Sequence, residues 1–275
     1  MGEVPKSLSN NPSAPDTASL TAELRSGAAI SAIDVHKRFG PVEALRGIDV
    51  SVMRGEVVAL LGPNGAGKST FMRILATAVL PDRGEVRVGG FDVVDEPRKA
   101  RASLGIALSD ERSFFWRLSG AANLQFFASL HGMRRREAAD AATEALADVG
   151  LAYAAEQRVD RYSTGMRARL GIARALLGHP RALLLDEFTR SVDTLGTIEV
   201  RELITKMAKD RRVAILLATH DLHEAAAMAD RTIILVAGRV ARTLERGHDA
   251  ARLESLLLEA ITQQKATEGR WPPTT

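Results

Sequence analysis

Residues 62–70 read GPNGAGKST, and their types and spacing suit the gripping of an anion. Gly62, Gly67, Lys68 and Ser69 stand at the fixed places of a G-x-x-x-x-G-K-[ST] pattern, with Pro63, Asn64, Gly65 and Ala66 between them and Thr70 next. Small residues at Gly65, Ala66 and Gly67 let successive backbone N–H groups turn inward around phosphate oxygens. Lys68 adds a point charge for the outer phosphates, and the Ser69 hydroxyl suits Mg²⁺. A helix that starts there aims its positive end at the same anion. The flanks agree. Residues 56–61 (EVVALL) form a short apolar run suited to a buried parallel strand, and residues 71–76 (FMRILA) continue as a helix. The stretch predicts a nucleoside triphosphate as ligand.

A second constellation closes the run ALLLDE at residues 182–187. Four apolar residues followed by two carboxylates describe a buried strand that delivers charge at its tip, where open α/β sheets bind ligands. Asp186 suits the shell of Mg²⁺, directly or through water, and Glu187 suits the polarising of an attacking water. Between the two lies YSTGMRARLGIARAL, residues 162–176. Ser163 offers a hydroxyl, Gly165 lets a backbone approach, and the start of the following helix is a further anion site. Taken alone, residues 163–165 are a helix cap.

These groups need a frame. The chain of 275 residues is 45% hydrophobic and 26% charged, ordinary for a globular protein large enough for one domain with an insertion. Lys and Arg number 37 against 34 Asp and Glu; a formal charge of +3 is too balanced to argue for nucleic acid, although the pI is near 9.4. With no cysteine, disulfides and thiolate metal sites are excluded. No apolar run approaches the ~18 residues of a membrane helix, and the start of the chain lacks a signal-peptide core, so a soluble, cytoplasmic protein is expected.

Residues 1–28, rich in Ser, Pro, Asn, Thr and Ala, read as a disordered arm. Strands are expected at 32–39, 42–52 and 85–88, as an antiparallel layer flanking the nucleotide, and at 103–108, 181–185 and 213–218. Helices are expected at 119–131, 134–149, 163–177, 195–209, 222–228 and 249–262, with a hairpin at 232–244 and fraying from residue 263. Alternating strands and helices imply a parallel α/β core, and the run of helices implies an inserted helical subdomain. Five aromatics, Phe114, Phe115, Trp116, Phe126 and Phe127, concentrate in a chain with only 8 Phe, 2 Trp and 2 Tyr. Phe126 and Phe127 fit a core stripe with Leu124 and Leu130. Three consecutive aromatics at 114–116 cannot all turn inward, so they serve either an interface or the packing of the helical subdomain. Arg134, Arg135 and Arg136 read as a solvated helix start.

Over residues 30–244 the sequence resembles the ATP-binding-cassette (ABC) ATPases. The family's L-S-G-G-Q signature maps onto Tyr162, Ser163, Thr164, Gly165 and Met166. The resemblance implies a P-loop NTPase (RecA-like) α/β core with an antiparallel β subdomain and a helical subdomain at about 110–178, the whole spanning 29–245, followed by a C-terminal helix and tail at 246–275. It implies ATP and Mg²⁺ as ligands, Glu187 as the catalytic carboxylate, His220 as the histidine that senses the γ-phosphate, and Phe39 as the ring stacked on adenine (or else a core phenylalanine). It further implies that Ser163 to Met166 complete the ATP pocket of the opposite subunit, and that Asp193 of the segment 191–193 contacts that partner. Three positions depart from the pattern. Ser109 stands where Gln is usual, so water, Asp110 or Glu111 takes its place at Mg²⁺; Phe188 replaces Pro; and the signature reads S-T-G-M, a variant resembling the exporter branch with separate type-2 permeases. What the resemblance implies is an active ATPase, homodimeric in the assembled transporter, peripheral on the inner face of the cell membrane, powering a separately encoded permease and binding no nucleic acid. A soluble ABC ATPase acting on ribosomes or DNA, and an importer ATPase, are the alternatives.

Overall fold

Strands β3 (Val57–Leu61) and β8 (Ala214–Thr219) are buried along their whole length, so they belong where both faces are covered. They lie parallel at the heart of a six-stranded sheet of the computed structural model, which describes residues 27–108, 114–190 and 192–268. With β6 (Leu104–Leu108), β7 (Ala182–Asp186), β9 (Arg231–Val236) and β10 (Arg239–Glu245), the order across the sheet is β10-β9-β3-β8-β7-β6. Five strands are parallel. Only β10 runs the other way, returned by a tight turn in which Ala237 and Gly238 both take positive φ, 48° and 77°.

The period-2 alternation of the buried strands divides the core. Leu183, Leu185, Ile215 and Leu217 face a cluster built with Leu124, Leu146, Leu170 and Ile204, while Leu184 and Leu216 face Phe71, Ile74, Ile30 and Ile48. The first cluster belongs to helices α3 (Gly120–Leu130), α4 (Arg135–Asp148), α5 (Thr164–Leu176) and α6 (Thr194–Arg211). The second is closed by α1 (Lys68–Leu75) and by an antiparallel sheet of order β2-β1-β4-β5, made of β1 (Ala28–Phe39), β2 (Val42–Met53), β4 (Arg83–Val88) and β5 (Phe91–Asp92). Helices α2 (Pro97–Ala102), α7 (Leu222–Met228) and α8 (Ala250–Glu268) complete the described chain.

The expected parallel core, antiparallel layer and run of helices are all present, and the structure departs from expectation in smaller ways. Strand β5 and helix α2 are too short to carry a readable period. The last helix does not fray at residue 263 but continues to Glu268; its earlier turns are anchored by Leu253, Leu256 and Ala260, buried against Leu61, Ile234 and Val236 of the central sheet. Phe126 is not a core residue: it stands exposed, its ring 4.9 Å edge-on from that of Phe115. Most of the expected arm, the metal-side candidates Ser109 and Asp110 with Glu111, Ser191 and the tail past 268 lie outside the described residues.

Candidate active site

Three adjacent strands, β3, β8 and β7, end on one side of the sheet, and each hands a functional group to the same place. After β3 the chain enters the loop 62–67. Gly62 is pressed against the Leu235 carbonyl, 2.2 Å from where a Cβ would stand, and Gly67, at φ 109°, against that of Ala44 at 2.7 Å. Glycine is required there by the neighbouring backbone. At Gly65, φ 77°, the space for a side chain is open, which leaves the rim of the loop clear for a ligand. The hairpin turn secures the loop from behind: Gly238 N donates to Ala66 O at 2.9 Å, and Ala66 N to Pro63 O at 3.1 Å.

Lys68 follows at the first position of α1, only 7% exposed. Its ammonium donates to the carbonyls of Gly62 (2.5 Å) and Pro63 (3.2 Å), so it is held at the mouth of the loop. Burial depresses its pKa, while Glu187 and Asp186 oppose that shift. Ser69 is exposed beside it, Thr70 half-buried, and Pro63 and Asn64 form the outer lip.

Asp186 ends β7, level with Ala218 of β8. Burial and the adjacent Glu187 push its carboxyl upward, against the pull of Lys68 and Arg73. Glu187 occupies the left-handed region, φ 46°, an uncommon conformation for a side chain with a Cβ. Its N–H donates to Ala218 O at 2.9 Å, and its two carboxylate oxygens are both engaged: Oε1 with His220 Nδ1 at 2.9 Å, Oε2 with Arg190 at 3.0 Å. An open cleft of about 600 Å³ is lined by Glu187, Thr189, Arg190, His220 and Glu224.

A hydroxyl and a carboxylate are hard oxygen donors, so Ser69 and Asp186 fit Mg²⁺. Among the described residues no group of three or more His, Cys, Asp or Glu side chains gathers for a metal. A Mg²⁺ held largely by substrate phosphates asks the protein for one or two ligands.

The signature residues stand on another element. Ser163 caps α5, its Oγ accepting from Met166 N at 3.1 Å, with Thr164 and Gly165 in the first turn. Its bond stays within its own helix start and does not reach the phosphate loop. Gly165 has an internal reason for lacking a side chain: a Cβ would stand 3.3 Å from Cα of Gly196, at the start of α6. The approach it permits is between two helices of one chain. Asp193 caps that same helix, accepting from Gly196 N at 2.7 Å, which ties Asp193 to the signature turn. Phe39 ends β1 at 46% exposure with Lys37 Nζ 5.4 Å from its ring centre, so the core alternative for it is set aside.

The aromatic cluster divides. Phe114 turns inward against Phe127, and the Arg174 guanidinium lies 5.1 Å from both rings. Phe115 and Trp116 are 48% and 40% exposed, Phe126 is exposed edge-on to Phe115, and Leu130 is exposed one helical turn further on. Arg167 lies under Trp116 at 5.4 Å and donates to the Tyr162 carbonyl at 2.5 Å, so Trp116 rests on the helix that begins at Ser163.

Sequence reasoning missed three contributors. Buried Asn123 brackets Phe115, accepting from its N–H at 2.8 Å and donating to its carbonyl at 3.1 Å. Arg190 engages Glu187, and buried Glu224 accepts from Thr189 Oγ1 at 2.7 Å. Asn123 and Glu224 each interrupt an otherwise apolar helix face, a signal that was open to reading.

A phosphate loop, a strand-tip acid pair and a histidine at three neighbouring strand ends, with a helical body beside them, define an ATP-hydrolysing cassette. Residues 45–190 match the family described as ABC transporter, and the chain belongs to it, as an ATP-binding subunit. It is similar to the daunorubicin resistance ATP-binding protein DrrA3 of Streptomyces coeruleorubidus, 40% identical over 212 residues, 77% of this chain and 66% of that protein. It is also similar to the aliphatic sulfonates import ATP-binding protein SsuB of Cupriavidus necator, 36% identical over 249 residues, 86% of this chain and 79% of that protein. Among solved structures, the dimeric post-hydrolysis state of the cassette MJ0796, bound to ADP and Pi, superposes with a TM-score of 0.67 at 26% identity, covering 80% of this chain and all of that one.

Proposed function

We propose that this ATPase drives an exporter, closing as a homodimer on two ATP molecules beneath a separately encoded membrane permease. The observation that carries the reading is the exposed aromatic face of Phe115, Trp116 and Phe126 seated on the helix that Ser163 caps. Such a face suits an apolar partner, and any partner there bears on the signature turn. The resemblance to a drug-resistance ATPase supports the exporting direction. The sulfonate-import relative is the observation in favour of an importer. In this reading the chain is a peripheral subunit on the inner face of the membrane; no helix among the described residues is long and apolar enough to cross one. The ATPase unit is taken as 29–245, with the helical subdomain at about 110–178 and the last helix and tail at 246–275.

The residues take these roles. Lys68 and the loop from Gly62 to Thr70 bind the phosphates, and Phe39 offers its ring to the base. Ser69 and Asp186 hold Mg²⁺, whose chemistry is to offset phosphate charge. Glu187 accepts the proton of the attacking water on a carboxylate oxygen, and His220 keeps that carboxylate in place through Nδ1. Ser163, Thr164, Gly165 and Met166, with Asp193, complete the site of the opposite subunit. The test is the Glu187→Gln variant: it should bind ATP and accumulate an ATP-dependent dimer in sedimentation. It should also fractionate with membranes only when a partner membrane permease is co-expressed. Monomer alone with ATP and Mg²⁺, or recovery in membranes without the permease, would count against the reading.

A further inference from the structure

Glu224 is only 2% exposed, and among the described residues no other carboxylate is buried so deeply. A carboxylate out of water needs hydrogen-bond partners, and the one it holds is informative: Thr189 Oγ1 donates to Oε1 at 2.7 Å. Thr189 stands two residues past Glu187, and Glu224 four past His220. The contact between Glu187 and His220 at 2.9 Å joins the same two segments. The two bonds and the backbone between them therefore make a closed ring, one side the turn after β7 and the other the first turn of α7.

That second side is stiff. Asp221 caps α7, accepting from the N–H groups of His223 and Glu224 at 2.8 and 3.2 Å, and its own N–H donates to Thr219 Oγ1 at 3.0 Å. The first side is strained, because Glu187 sits at φ 46°. A left-handed residue with a Cβ persists only where its surroundings over-determine it. Phe188, buried against α5, anchors the turn on one flank, and the bond from Thr189 to Glu224 anchors it on the other.

We propose that Glu224 is a positioning residue for ATP hydrolysis: through Thr189 it holds the left-handed turn at Glu187 and keeps that carboxylate on His220. The inference rests on Glu187 being the base proposed above. Steady-state ATPase of the purified full chain separates the two. Thr189→Val, matched in shape but lacking the hydroxyl, should lower kcat about tenfold or more while the KM for ATP stays within about twofold. Thr189→Ser should restore turnover. Glu224→Gln, which keeps an acceptor oxygen, should stay near wild type, and Glu224→Met should match Thr189→Val. Because the effect passes through Glu187, Thr189→Val added to Glu187→Gln should slow the enzyme no further. If Glu187→Gln alone turns over at the wild-type rate, the base assignment and this proposal both fall. If Glu187→Gln is slow but Thr189→Val keeps the wild-type kcat, or multiplies the loss in the double variant, only the positioning role falls.

Discussion

Nδ1 of His220 lies 2.9 Å from Oε1 of Glu187, so the ends of β8 and β7 are joined by the two side chains to which the proposal gives the handling of the attacking water. The histidine is half exposed on its outer side while the glutamate is largely enclosed. Loss of the imidazole frees the carboxylate to rotate without removing it. His220→Ala should therefore lower kcat by about 10–10²-fold with little change in nucleotide affinity, less than the loss in Glu187→Gln. Equal kcat values for His220→Ala and wild type in a steady-state assay would separate the histidine from the chemistry.

Lys68 is enclosed, and its ammonium is the charge the phosphate loop holds at its mouth. Lys68→Ala should abolish hydrolysis and weaken ATP binding by about tenfold or more, as expected for a charge-assisted contact with phosphate. Calorimetric titration of the variant with ATP checks it.

Asp186 yields a prediction of opposite sign for stability and activity. Burial and Glu187 raise its pKa, so the folded chain binds that proton more tightly than the unfolded chain does. The stabilisation is present below the ordinary carboxylate range and is lost as pH rises through the folded pKa. At neutral pH the ionised acid pair is a cost. Asp186→Asn should therefore raise the melting temperature of the nucleotide-free protein by roughly 1–3 °C at pH 7 while removing Mg²⁺-dependent turnover. The gain should shrink as pH falls toward 4. Melting curves across pH would show a constant difference, or a loss, if the acid pair were not strained.

Trp116 and Phe115 are exposed, whereas Asn123 between them and the core is fully buried. Trp116→Ala or Phe115→Ala should leave the melting temperature within about 2 °C and basal hydrolysis nearly intact, yet weaken association with the permease by about 2 kcal/mol. Asn123→Ala should instead destabilise the isolated chain by about 1–3 kcal/mol, since it strips partners from the Phe115 backbone. Pull-down and thermal melts run together distinguish the two classes.

The strands that run apolar from end to end, and the glycines of the phosphate loop, were legible in the sequence because their physics is local. Burial on both faces demands an unbroken apolar run, and a phosphate nest demands small residues at fixed intervals. Ser163 was likewise readable as a helix start. What could not be read is whatever depends on two distant segments meeting. Gly165 is readable as a place where backbone comes close, but only the fold shows that the backbone is that of Gly196, where α5 and α6 touch. Phe126 fitted a helical stripe, yet it stands exposed, its ring nearly perpendicular to that of Phe115. Arg190 has no local signature of its role, and the place of Glu224 on an apolar helix face could signal its burial but not its partner Thr189, since each acts on a residue brought to it by the fold.

The two arginines that meet the aromatic cluster, Arg167 under Trp116 and Arg174 beside Phe114 and Phe127, sit on one helix. Helix α5 has 13 residues, which at about 1.5 Å each gives a length of roughly 20 Å. Pivoted at its far end, such a rod tilted by about 10° carries its tip sideways by about 3 Å, a full hydrogen-bond length. Ser163 is that tip. In the proposed dimer, the angle at which this helix is held would decide whether Ser163 reaches the opposite subunit's phosphate, and the guanidiniums of Arg167 and Arg174 beside these rings are contacts that bear on that angle.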